Sequence, residues 1–99
     1  MNTVQYYIAT IRQNSSKISN DFGIKTLCIF GSVSRNEQSN KSDLDVCVET
    51  KTPNPFLLAD FKEYLQDLFK CPVDVVRIHK NMNPLLKSRI EKDGIYAIR

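Results

Sequence analysis

The chain has 99 residues, of which 41% are hydrophobic, 25% charged and 9% aromatic, the composition of one small globular domain spanning residues 1–99. Three Gly and four Pro with ordinary charge exclude collagen-like, linker-like and disordered chains, and no apolar run approaches the roughly 18–20 residues of a membrane span. The 14 basic and 11 acidic residues give a net charge of +3, spread without blocks of like charge, so neither membrane association nor stable nucleic-acid binding is expected.

The opening stretch MNTVQYYIATIRQ lacks a basic region followed by an apolar one, so no secretory signal is read there and a cytoplasmic setting is expected. Its apolar residues Val4, Ile8, Ile11, Ile18 and Phe22 recur at helical spacing, which predicts one helix capped by Asn2 or Thr3 and stopped at Gly23. Ile24 to Phe30 is short, β-branched and aromatic, a buried strand ending at Gly31-Ser32. A helical turn near Ser32 and a polar loop to Ser42 follow. Asp43 to Glu49 alternates and reads as a second strand. After a turn over residues 50–55, Asn54-Pro55 starts a helix with Leu58, Phe61, Leu65, Leu68 and Phe69 on one face. Val73 to Ile78 is a third strand, Asn83-Pro84 starts a helix carrying Leu86 and Ile90, and Ile95 to Ile98 is a final strand. The order α-β-β-α-β-α-β predicts an α/β (α+β) fold, with the helices packed on one side of a small mixed sheet.

Acidic residues on an apolar strand mark the chemistry. Asp43 and Asp45 are two apart, so in a strand they share a face at roughly 6.5–7 Å, while Leu44, Val46 and Val48 point into the core. An isolated pair of this kind is commonly just a solvated strand face. Two repelling carboxylates are, however, relieved by a divalent cation, and all-oxygen ligation suits Mg²⁺; two-metal sites hold their ions roughly 3.5–4 Å apart. Gly31 lets the backbone approach an anion, Ser32 adds a hydroxyl, and Arg35 adds a forked cation suited to phosphate. Asp74 lies among valines in the third strand, where a charge is paired or liganded. A salt bridge satisfies it as well as a metal does. If strands two and three are neighbours, Asp74 faces the acidic pair at one inter-strand spacing, roughly 4.8 Å.

Gly31-Ser32, ten intervening residues, Asp43-Leu44-Asp45 and a later Asp74 resemble the nucleotidyltransferase superfamily of DNA polymerase β. The stretches Phe30-Gly-Ser-Val-Ser-Arg35 and Ser42-Asp-Leu-Asp-Val46 carry the resemblance, and the chain's small size matches the minimal nucleotidyltransferases of the MntA antitoxin type. One departure is Asn36, where many members have Gly. The resemblance implies transfer of AMP from ATP, with diphosphate leaving, to a tyrosine of a partner HEPN-domain toxin, in a hetero-oligomer with that partner. It assigns Gly31 and Ser32 to the triphosphate and Asp43, Asp45 and Asp74 to two Mg²⁺ ions, with Mn²⁺ as an alternative metal. Asp74 would also deprotonate the acceptor; Arg35 as a nucleotide contact follows from its chemistry alone.

Two other classes fit the same residues: a binding module that neutralises its partner by complex formation, and a transferase acting on a nucleic acid or a small molecule. Three repelling carboxylates on one face favour an enzyme over a binding module. The short chain leaves little room for an acceptor-binding domain, which favours a protein acceptor. His79 reads as a strand-end residue, Tyr6, Tyr7 and Tyr64 as rim residues of amphipathic helices, and Lys62, Lys70, Lys80 and Lys87 as solvated. Cys47 shares the face of Asp43 and Asp45, and with Cys28 and Cys71 reads as a buried thiol of a reducing compartment.

Overall fold

The amphipathic stripe of the first 22 residues builds two helices rather than one. In a computed structural model describing residues 3–35, 43–52, 54–79 and 81–99, α1 covers Val4–Gln13 and α2 covers Ser15–Phe22. The stretch 36–42, with the expected loop and Asn36 within it, and Asn2, Pro53 and Lys80 lie outside those residues. Asn14 makes the break. Its Nδ2 donates to the Thr10 carbonyl at 2.8 Å, and its backbone N–H donates to the Ile11 carbonyl at 3.1 Å. A short polar side chain that bonds its own backbone competes with the helical ladder. Val4, Tyr7 and Ile11 of α1 and Ile18 of α2 still reach the core, so the apolar period passes through the break unchanged. Thr3 caps α1, accepting from the Tyr6 amide, and Gly23 ends α2 in the left-handed region at φ 67.

Four strands follow: β1 (Ile24–Phe30), β2 (Leu44–Thr50), β3 (Val73–Arg77) and β4 (Ile95–Ile98), in the sheet order β3-β2-β1-β4. β1 is antiparallel to both β2 and β4, whereas β2 and β3 are parallel. The parallel pair needs a crossover, supplied by α3 (Pro55–Phe69); α4 (Pro84–Asp93) joins β3 to β4. Both helices start as their sequences dictate. Asn54 accepts from the amides of Phe56 and Leu57 ahead of Pro55 at the first turn, and Asn83 accepts from the Leu85 amide ahead of Pro84.

The sheet is covered on both faces, which corrects the expectation of helices on one side. Ile24, Leu27, Ile29, Leu44, Val46, Val48 and Val73 pack with Ile11, Ile18, Phe61 and Leu65 beneath α1, α2 and α3. On the opposite face Cys28, Phe30 and Cys47 pack under Ile90 of α4, flanked by Leu86, Val76 and Tyr96. The reason lies in β1 and β2, whose alternate positions are apolar on both sides, so each face exposes a surface that must be covered. Each of the wholly buried Ile, Leu and Phe side chains is worth about 1.5–3 kcal/mol. Tyr7 belongs to this core and not to the rim: it is 7% exposed, with its ring 4.9 Å from that of Phe69. Tyr6 beside it is exposed. Among the described residues no helix is long and apolar enough to cross a membrane.

Candidate active site

One corner of the sheet gathers the acidic residues. β1 ends there and β2 and β3 begin there, so three strands deliver Phe30, Asp45 and Asp74 in a row: Phe30 is the register partner of Asp45, and Asp45 is the register partner of Asp74. The Leu44 amide donates to the Pro72 carbonyl at 3.0 Å, which pins the two strand starts side by side. Asp45 and Cys47 alternate with Leu44, Val46 and Val48, placing Asp45 on the α4 face of the sheet. Asp43 stands immediately before β2 and is exposed; Asp45 is half-buried; Asp74, on the edge strand, is exposed.

Gly31 closes the corner. It leaves β1 at φ 76, in the left-handed region, and a Cβ at this position would overlap the Asp45 carboxylate. Only glycine lets the backbone pass so close to that side chain. The following turn is wound tightly: Ser34 Oγ donates to the Gly31 carbonyl at 2.7 Å, the Arg35 amide donates to the Ser32 carbonyl at 3.2 Å, and Val33 is buried in the core. Ser32 remains half-exposed between them. Arg35 reaches across to α4, where its Nη1 donates to Asp93 Oδ2 at 2.7 Å. The guanidinium read as a phosphate contact is therefore also a clamp joining the Gly31–Arg35 turn to the end of α4.

The electrostatics of the corner follow from this crowding. Burial pushes the Asp45 carboxyl above the ordinary carboxylate range, the negative charges of Asp74 and Asp43 push it further, and the Arg89 guanidinium on α4 works against them. Asp74 forms no ion pair among the described residues, so the salt-bridge reading of that residue has no support there. In this conformation no group of three His, Cys, Asp or Glu among the described residues is gathered closely enough to hold a metal ion. The donor set nevertheless suits a hard divalent cation: its members are all carboxylates, the charges of Asp43 and Asp74 bear on Asp45, and Asp45 and Asp74 stand in register.

Arg89 escaped the sequence reading. Its signal was the pair Leu86 and Ile90, one turn apart, which sets the inner face of α4 and leaves Arg89 and Asp93 together on one flank. That flank gains meaning only once α4 is known to lie on the Asp45 face. The other flank, with Lys87 and Glu91, borders a cavity of about 470 Å³ floored by Ile78, Met82, Ile90 and Tyr96. His79 lines the same cavity, its Nδ1 accepting from the Asn81 amide. Cys47 lies on the site's face but is wholly buried, and burial pushes its thiol up to about 12, with Cys28 opposite it adding to the rise.

Comparison with known proteins identifies the family. Residues 11–97 match the family model described as "Nucleotidyltransferase domain". A candidate protein adenylyltransferase of Methanocaldococcus jannaschii is 36% identical over 98 residues, covering 98% of this chain and 100% of the relative. The solved structure of a candidate minimal nucleotidyltransferase superposes with a TM-score of 0.75 at 25% identity, covering 95% of each chain. A structure of tri-AMPylated Shewanella oneidensis HEPN toxin in complex with MNT antitoxin gives a TM-score of 0.65 at 17% identity, covering 91% of this chain and 71% of that one; at that identity the likeness speaks for the fold alone. By its match over nearly its whole length, the chain belongs to the nucleotidyltransferase domain family.

Proposed function

We propose that the protein transfers AMP from ATP to a tyrosine hydroxyl of a HEPN-family toxin, acting in the cytoplasm as that toxin's antitoxin. The observation that carries this reading is the corner itself: a glycine turn whose backbone lies against Asp45, with Asp74 aligned to Asp45 on the next strand. The name of the relative, a candidate protein adenylyltransferase, supports adenylyl transfer to a protein.

In this reading Asp43, Asp45 and Asp74 would hold two Mg²⁺ ions, whose charge would offset that of the triphosphate. Gly31 offers backbone amide and Ser32 its hydroxyl to the phosphate oxygens. Asp74, exposed at the sheet edge, accepts the proton of the tyrosine hydroxyl. The tyrosine oxygen forms a bond to the α-phosphorus, the bond from that phosphorus to the bridging oxygen breaks, and diphosphate carries the electron pair away. Transfer of this kind asks the protein for positioning and charge stabilisation more than for covalent chemistry.

The test is intact-mass spectrometry of a co-encoded HEPN-domain protein incubated with this protein, ATP and Mg²⁺. A mass gain of whole AMP units that vanishes with Asp43→Asn/Asp45→Asn is expected. Equal neutralisation of an unmodified partner by wild type and double variant would overturn the enzymatic reading and leave a binding module.

A further inference from the structure

α4 is oriented by its two inward residues. Leu86 and Ile90 pack on Cys28, Phe30 and Cys47, and at 100° per residue this turns Lys87 and Glu91 toward the 470 Å³ cavity and Arg89 and Asp93 toward the opposite flank. The position of that second flank is fixed by a contact: Asp93 accepts from Arg35 at 2.7 Å, so it overlies the turn that begins at Gly31. Gly31 in turn lies against Asp45. Arg89 is one helical turn before Asp93 on the same flank, about 6 Å along the axis. The two arginines of this corner thus differ in state. Arg35 is held by Asp93, whereas Arg89 is exposed and, among the described residues, makes no ion pair or hydrogen bond.

An exposed guanidinium on the flank of α4 tied to the Gly31 turn, bonded to none of the described residues, is poised for an anion that arrives with the substrate. We propose that Arg89 binds the β- and γ-phosphates of the nucleotide, the portion that departs as diphosphate. The assignment rests on the nucleotidyl-transfer reading and transfers the phosphate role expected of Arg35 to a residue on α4. Guanidinium suits it: a planar fork pairs with two phosphate oxygens at once and stays charged at any working pH. Arg35 then acts through Asp93, holding α4 at the height that brings Arg89 over the turn, as a positioning residue.

The discriminating measurement is binding of ATP, AMP and inorganic diphosphate, each titrated calorimetrically in Mg²⁺ against wild type, Arg89→Met and Arg89→Lys. Arg89→Met is expected to weaken ATP and diphosphate by about 10- to 100-fold, the scale of a charge-assisted hydrogen-bond pair, while leaving AMP unchanged. Arg89→Lys is expected to recover part of the loss. Because Arg89 is exposed, the variant's melting temperature should equal that of wild type. If Arg89→Met keeps the wild-type preference for ATP over AMP, or weakens both equally, the assignment is wrong and Arg89 only balances the charge of Asp45. If wild type itself binds none of the three, the nucleotidyl-transfer reading falls and takes the assignment with it.

Discussion

Replacing Gly31 by alanine tests the close contact on which the corner is built. Two costs are separable. An L-residue at φ 76 pays about 1–2 kcal/mol for the left-handed backbone, offset by about 0.4–1 kcal/mol because alanine restricts the unfolded chain. The new methyl group also overlaps the Asp45 carboxylate, and turning that side chain off its rotamer adds about 0.5–1.5 kcal/mol. Gly23 supplies the control: it has φ 67, but a Cβ there meets nothing within 4 Å, so Gly23→Ala bears the backbone cost alone, about 1 kcal/mol. Gly31→Ala should cost about 2 kcal/mol. Urea unfolding of both variants, and of Gly31→Ala in an Asp45→Ala background, completes a double-mutant cycle. In that background the cost of Gly31→Ala should fall to that of Gly23→Ala. Equal costs for the two glycines in wild type, or no coupling between positions 31 and 45, would refute the contact.

Other consequences can be checked on the same protein. The raised Asp45 carboxyl binds its proton more tightly in the folded than in the unfolded chain, whose ordinary value is 3.8. The stability this gives is full below that value and is lost as pH rises through the folded value. The metal-free protein should therefore show a fall in melting temperature over that window, and Asp45→Asn should lack this component and melt higher at neutral pH. Adding Mg²⁺ should raise the melting temperature of wild type by mass action but not that of Asp43→Asn/Asp45→Asn; an equal rise in both would remove those carboxylates as ligands. Cys28 and Cys47 are buried, the latter with its thiol pushed up to about 12, so a thiol-specific chromogenic reagent at pH 8 should titrate only the half-buried Cys71 in the native state and all three after unfolding. Leu65→Ala, at a wholly buried position under the sheet, should cost about 2–5 kcal/mol in urea unfolding while leaving nucleotide affinity intact.

What the sequence made legible was whatever local chemistry decides. Asn54-Pro55 and Asn83-Pro84 announce helix starts because cap and first turn are neighbours in the chain. Asp43, Leu44 and Asp45 announce a two-sided strand because alternation is a property of three consecutive residues. What stayed hidden depends on contacts between distant segments. The break at Asn14 leaves the apolar period intact on either side, so periodicity alone reads one helix. Tyr7 joins the core only because Phe69, far along the chain, covers it. The placement of α4 was hidden for the same reason: its apolar face is only Leu86 and Ile90, too narrow to say which side of the sheet it serves. Arg89 and the Arg35–Asp93 pair were out of reach because both depend on that placement.

The mixed strand directions explain why the site forms where it does. The C-terminal end of β1 and the N-terminal ends of β2 and β3 share one edge of the sheet. β1 and β2 are antiparallel neighbours, so the glycine turn and the first acidic pair need only one connecting segment to meet. β2 and β3 are parallel, so the α3 crossover returns the chain to the same edge, and Asp74 enters in register with Asp45. Had β3 been antiparallel to β2, a strand entering from the opposite edge would carry its second residue to the far end, several residues from Asp45, each step about 3.3 Å. The crossover helix is therefore what unites the third carboxylate with the other two, and α4, laid on the same face and tied down by Arg35 and Asp93, is what brings a cation to them.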